Sequence, residues 1–233
     1  DGALNPFSGL LMYNCRKVGR KTYLYSGKWK ENLNMYAKYE LIDKLKYQLA
    51  IEYNCTKQDF SRSENIITTS AKNEGRRQYI RGTFFLQMVT LGQNAVITAD
   101  ECLHLWLKEF VKDKTGHWLF EHTNLCKIDK ELKKYDKQLW QTHHMFLPDK
   151  NIAPVAELAP IKWHEQKDVH QFYEEKLYPN ALCSKFLPER PDMLAVSAYD
   201  GDTIMGMAGC SADTSNMWQI GIDVLPEYRR QGV

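Results

Sequence analysis

The chain lacks any apolar run approaching the ~20 residues that a bilayer-crossing helix requires, and its start shows no basic, apolar, small-residue pattern of the secretory type. Those two absences set the expectation of a cytoplasmic protein with no membrane partner. Net charge is slight as well, +2 over 233 residues, so no global field draws the chain to nucleic acid. Cysteine pairing is missing: six cysteines (Cys15, Cys55, Cys102, Cys126, Cys183, Cys210) are scattered without a CxxC pair or a histidine at zinc-ligand spacing. Reduced, mostly buried thiols are expected. His143 and His144 are adjacent, and neighbours on a strand point to opposite faces, so no metal site is expected. No repeat and no low-complexity tract is evident.

What remains is an ordinary globular composition, with 43% hydrophobic and 26% charged residues. A mass of 27.2 kDa suits two modest domains, each able to bury a core. Residues 1–12 are set aside from the fold: the opening "DGALNPFSGLL" reads either as a cloning remnant before a native start at Met12 or as part of the protein. Residues 13–150 read as an N-terminal α/β domain. Its basic opening holds Arg16, Lys17, Arg20, Lys21, Lys28 and Lys30 interleaved with aromatics, a pattern able to track a phosphate backbone. The near-neutral whole favours a solvated face instead.

From Glu31 to Tyr53, Leu33, Tyr36, Ile42, Leu45 and Leu49 recur at helical steps and predict one buried face. A short helix near Thr56 and a strand at "IITTS" follow. The stretch "TFFLQMVTLGQNAVITA" predicts two strands around Gly92-Gln93-Asn94. Thr98 and Glu101 have capping-box spacing, predicting a helix to about Val111 with Cys102, Leu105, Trp106 and Phe110 inward. "GHWLFE" reads as a strand, Leu125 to Leu139 as a helix, and "LWQTHHMFLPD" as a strand ending at Pro148. Pro148, Pro154 and Pro160 then mark a linker, because each removes a backbone donor and fixes its own φ.

Beyond the linker the pattern predicts a strand at "ELAPIKWH" and a helix from Gln166 to Leu177 with Val169, Phe172, Tyr173 and Leu177 on one side. A hairpin turns at Asp200-Gly201-Asp202. In "MWQIGIDVL", Trp218, Ile220, Ile222 and Val224 alternate with Gln219, Gly221 and Asp223, one apolar face against one small or polar face. Pro226 ends the ladder, and Arg229 stands three residues before Gly232.

Ala153 to Val233 resemble the first half of the GNAT superfamily of acyl-CoA-dependent N-acyltransferases. Val224, Leu225 and Pro226 match its V-x-P bend. Arg229, Arg230, Gln231, Gly232 and Val233 match all but the last small residue of its Arg/Gln-x-x-Gly-x-Gly/Ala turn. "YDGDTIMGMAGCSAD" and "MWQIGIDVLPEYRRQGV" resemble a bacterial, clostridial-type branch of two-part GNAT proteins. The implied architecture is α+β: a mixed N-terminal α/β domain, then residues 151–233 as the N-terminal half of a mostly antiparallel sheet flanked by helices.

The resemblance implies acetyl-CoA or a related acyl-CoA as cosubstrate, held by Ile222, Val224, Leu225, Arg229, Arg230, Gln231, Gly232 and Val233. Main-chain N–H groups would receive the pyrophosphate, and β-edge groups near Val224 would pair with pantetheine and polarise the thioester carbonyl. R-x-x-G after a strand also occurs as a plain exposed turn, and it is the surrounding context that favours the cofactor site. Trp218 stands where many relatives carry a glutamate base, so no base carries over. Asp223 is the nearest carboxylate, either a general base or one member of a surface pair. Cys210 reads as a small buried residue rather than an acyl-carrying nucleophile.

The family's next helix, later strands and acid tyrosine do not occur in this sequence. The expectation is therefore a truncated form, weak or inactive by itself, with the apolar "MWQIGIDVL" run (Met217–Leu225) left as an open sheet edge. The functional expectation is direct acetyl transfer to a small-molecule or peptide amine, with no covalent intermediate, no metal and no nucleic acid; a homo-oligomer is left open. The rival is a non-catalytic acyl-CoA-binding or regulatory module on the same fold, and a nucleic-acid binder stands third.

Overall fold

The computed structural model describes residues 11–13, 38–78, 80–147, 157–174 and 176–233. The basic stretch from Arg16 to Lys30, residues 31–37 of the expected first helix and the proline-rich residues 148–156 lie outside them. In chain order the elements are β1 (Leu11–Tyr13), α1 (Lys38–Glu52), β2 (Ile66–Thr69), β3 (Leu86–Thr90), β4 (Ala95–Ala99), α2 (His104–Val111), α3 (His122–Leu132), β5 (Ile161–Glu165), α4 (Gln166–Val169), β6 (Asp192–Asp200), β7 (Thr203–Ala212) and β8 (Met217–Val224). Helices with a mixed sheet and an antiparallel sheet make the chain α+β, consistent with a GNAT-type fold. No described helix is long and apolar enough to cross a membrane.

The described chain forms two compact units. The first comprises Ile42–Arg76 and Ile80–Thr142. Its three-stranded sheet has the order β2-β4-β3, with β2 parallel and β3 antiparallel to the central β4. Every residue of β4 is buried, as a central strand covered on both sides demands. Leu103, Leu107, Val111, Leu119, Ile128 and Leu132 close over it. Full burial of Leu107, Leu119 and Ile128 contributes about 1.5–3 kcal/mol each.

Five expectations are corrected here. Thr98 is a strand residue whose hydroxyl donates to Ser70 Oγ at 3.3 Å, so it caps nothing. Asp100 does, accepting from Cys102 N at 3.1 Å at the start of a 3₁₀ turn that leads into α2. That turn rotates the helix, so Leu103, Leu107 and Val111 face inward while Leu105 and Cys102 are exposed. Trp106 and Phe110 stack at 4.6 Å between centroids on its flank.

"GHWLFE" is a 3₁₀ turn, Gly116–Phe120, rather than a strand. Gly116 N donates to Gln93 O at 2.8 Å, and a Cβ there would lie 2.1 Å from Asn94 C, so the segment abuts the start of β4 end-on. Residues 137–147 carry no regular structure, because no described strand pairs with them and an extended segment needs a partner for its amides. The thiols are also less buried than expected: of the five described cysteines only Cys210 is buried, and Cys102 and Cys126 are exposed.

The second unit holds, of the described residues, 11–13, 38–41, 77–78, 143–147, 157–174 and 176–233. Its sheet has the order β1-β8-β7-β6-β5, antiparallel throughout. The hairpin turn falls where predicted, with Gly201 at φ +57°. On one face Val169, Phe172, Tyr178, Ala181 and Leu182 pack on Ala195 and Met207. The predicted helix from Gln166 to Leu177 is shorter: α4 gives way to a 3₁₀ turn at His170–Phe172, and Lys176 at φ +52° leaves the right-handed helical region. Tyr178, not Leu177, then enters the core.

The expected open edge along Met217–Leu225 is corrected over its first part. β1 pairs there, Leu11 with Gln219, Met12 with Trp218 and Tyr13 with Met217, so Leu11 and Met12, set aside from the fold on sequence grounds, belong to a strand of this sheet.

Candidate functional site

The phase of the β7–β8 ladder determines what β8 presents outward. Leu225 N donates to Met205 O at 2.9 Å, and Gly206 lies opposite Val224 with no register shift along the pair. Hydrogen-bonded pairs alternate in an antiparallel ladder. Residues 225, 223, 221 and 219 therefore turn their amides to β7, and Trp218, Ile220, Ile222 and Val224 turn theirs to the other edge. β1 receives Trp218. On that outer edge no described strand pairs with Ile220, Ile222 or Val224, and the Ile222 side chain is 64% exposed.

Pro226 then bends the chain through a 3₁₀ turn, Pro226–Tyr228, in which Tyr228 N donates to Leu225 O at 3.0 Å. Arg229 is extended, Arg230 has φ +64° and Gly232 φ +88°. Two left-handed residues flanking Gln231 alternate the backbone in the way that builds an anion-receiving concavity from successive N–H groups. Among the described residues no hydrogen bond of ordinary geometry takes the N–H groups of Arg230, Gln231, Gly232 or Val233. A Cβ on Gly232 would also lie 3.3 Å from Leu158 Cδ1, so both backbone conformation and space favour glycine.

The side chains of the turn face elsewhere. Arg229 Nε donates to Val224 O at 3.0 Å and Gln231 Nε2 to Glu227 O at 2.7 Å. Arg229, Arg230 and Val233 are exposed, while Val224 and Leu225 are half-buried. Leu225 packs against the core under the sheet. The turn thus offers main-chain donors and one uncommitted guanidinium, that of Arg230.

On the opposite face of β8, Asp223 is fully engaged. Its Oδ2 accepts from Asn180 N at 2.7 Å and Ala181 N at 2.8 Å, and its Oδ1 accepts from Asn180 Nδ2 at 2.7 Å. The loop so held runs across two glycines that sit opposite each other, Gly209 and Gly221. A Cβ on Gly221 would lie 1.7 Å from Asn180 O, and one on Gly209 2.1 Å from Ala181 O. The same loop is tied down twice more. Buried Asp192 accepts from the Tyr173 hydroxyl at 2.9 Å and Cys183 N at 3.0 Å. Arg190 Nε meets both Ser211 Oγ and Asp213 Oδ1 at 3.0 Å. Burial raises the Asp192 carboxyl above its ordinary value, its hydrogen bonds opposing. Burial, seconded by Asp192, pushes the Tyr173 hydroxyl up as well.

Sequence reasoning placed Ile222, Val224, Leu225 and Arg229 to Val233 in one patch; the structure sets Ile222, Val224 and Arg229 to Val233 along one sheet edge and its following turn, whereas Leu225 gives its N–H to Met205 O and its side chain to the core. It did not find Asn180, Leu158 or the glycine pair. A signal for the glycines existed: an isolated glycine inside a strand pattern marks close backbone approach. Cys210 is buried, with its thiol pushed up to about 12 by burial, so it is a packing residue. Trp218 is half-buried on the β1 side of the sheet edge. Among the described residues no group of three or more His, Cys, Asp or Glu side chains is placed to hold a metal ion.

Residues 155–233 match the model of the Acetyltransferase (GNAT) family, which supports a domain of that superfamily in this part of the chain. Neither a curated protein nor a solved structure is significantly similar to the chain.

Proposed function

We propose that the chain belongs to an N-acyltransferase that takes an acetyl group from acetyl-CoA, or a related acyl group, to an amine on a small molecule or peptide. The observation that carries this reading is the run of N–H groups from Arg230 to Gly232, for which no hydrogen bond is found among the described residues, directly after a strand edge with outward amides at Ile222 and Val224. A diphosphate is a doubly charged anion best received by several converging main-chain donors. The pantetheine arm carries two amides in a row, the chemistry that an unpaired strand edge satisfies.

In this reading the pyrophosphate rests on the turn, pantetheine lies along Ile220–Val224, and outward N–H groups polarise the thioester carbonyl. The neutral amine attacks the carbonyl carbon, and the C–S bond breaks as the tetrahedral intermediate collapses. The amine's proton passes to solvent or a base, and the thiolate leaves protonated as free CoA. Asp223 serves as a positioning residue, because both of its oxygens are spent on Asn180 and Ala181. We assign residues 13–150 and 151–233 to separate domains, with Leu11–Tyr13 lending a strand to the second, and the reaction to the cytoplasm.

The engaged Asp223 and the tryptophan at position 218 favour one alternative, a module that binds acyl-CoA without turning it over. Titration calorimetry with acetyl-CoA, followed by free-thiol release across an amine panel, separates the two. Binding with thiol release supports the transferase, binding without release under any amine supports the module, and absence of binding removes both.

A further inference from the structure

We infer that Arg229 is a selectivity latch that reserves this edge for thioesters carrying a nucleotide diphosphate over those of bare pantetheine; the inference rests on the cofactor reading above. Three observations converge. The ladder phase turns the Val224 carbonyl outward, away from β7. That acceptor is held by Arg229 Nε at 3.0 Å, which places the guanidinium alongside the strand edge where a pantetheine amide would donate. The neighbouring Gln231 Nε2 to Glu227 O bond at 2.7 Å holds the turn, so the latch folds back within a set frame rather than on a loose tail.

The consequence follows from what each ligand returns. Any thioester arm that pairs with Val224 must displace a charged donor from its acceptor. A ligand with a pyrophosphate gives the released guanidinium a new anionic partner at the adjacent turn, where Arg230 already stands uncommitted. Bare pantetheine offers no anion and leaves Arg229 with only water. The latch therefore lowers affinity for pantetheine and is close to neutral for coenzyme A. Losing one such hydrogen bond corresponds to about a two- to ten-fold change in binding.

The test uses coenzyme A and pantetheine themselves as probes, titrated calorimetrically into the wild-type chain, R229A and R230A, with circular dichroism to verify that each variant is folded. R229A should bind pantetheine about two- to ten-fold more tightly than wild type and coenzyme A no more tightly. R230A removes the same charge but no contact to Val224, and should weaken coenzyme A with no gain for pantetheine. Coenzyme A binding with pantetheine affinity unchanged or reduced in R229A would overturn the latch while leaving the cofactor site standing. An equal pantetheine gain in R230A would overturn it too, since charge and not the contact would then be responsible. Failure of coenzyme A to bind any of the three proteins would overturn the cofactor reading and the latch together.

Discussion

Replacing Gly221 by alanine should be among the most damaging single-methyl changes in the second unit. The added Cβ would lie 1.7 Å from Asn180 O, 2.5 Å from Asn180 C and 3.2 Å from Ala181 N, and all three are main-chain atoms. Ordinary contact begins near 3.4 Å, so the loop must lift by more than an ångström or β8 must recede. Lifting breaks the three hydrogen bonds to Asp223, each worth about 1 kcal/mol net. It also loosens Ala181 and Leu182, which are 4% and 6% exposed. The sum is about 3–5 kcal/mol, at the high end for overpacking because backbone and not a flexible side chain is struck.

Urea denaturation followed by tryptophan fluorescence measures it. Gly82→Ala is the control, since nothing lies within 4 Å of a Cβ there, and it should stay within ~0.5 kcal/mol of wild type. If loop lifting is the mechanism, Asp223→Ala should cost little more in the Gly221→Ala background, where its bonds are already broken. A Gly221→Ala protein within 1 kcal/mol of wild type, or full additivity with Asp223→Ala, would refute the close crossing of loop and strand.

Three further outcomes are expected. Burial, aided by Lys162, holds the His164 imidazole below its ordinary value, and its Nε2 is 3.0 Å from Ser197 Oγ. Folding therefore favours the neutral ring, so its stability contribution is complete above a pH of about 6.5 and is lost as pH falls below that. Unfolding free energy should drop between pH 7 and 5 with a slope of up to ~1.4 kcal/mol per unit, and His164→Gln should flatten it; an unchanged slope would remove His164 as the cause. Iodoacetamide at pH 8 should label exposed Cys102 and Cys126 while sparing Cys183 and Cys210, whose thiols burial pushes up to about 12; rapid labelling of Cys210 in folded protein, mapped by mass spectrometry, would contradict its packing role. Asp100→Ala should cost about 1 kcal/mol of stability through loss of the cap on Cys102 N, whereas Thr98→Ser should cost no helix capping; the reverse order in thermal melts would restore the capping box.

The sequence alone determined the class of the fold and the order in which the residues of the candidate site follow one another. Helical steps at Leu45 and Leu49, alternation from Trp218 to Val224, the turn at Asp200-Gly201-Asp202 and the bend at Pro226 are local signals, fixed by side-chain periodicity and by what glycine and proline permit. The site is legible for the same reason, because a strand, a bend and a glycine turn are contiguous in the chain. Local signal was insufficient where a partner decides. "GHWLFE" had strand-like composition, but no described strand pairs with it, and Gly116 settles against Asn94 instead. Thr98 had capping chemistry, but the ladder kept it in β4 and passed the role to Asp100. Only tertiary structure set the phase of β8, which sends Val224's carbonyl outward and Asp223 inward. It also brought Asn180 and Ala181, more than 40 residues earlier, onto Asp223, because a carboxylate beside two glycines lets a loop approach closely enough for its N–H groups to find acceptors.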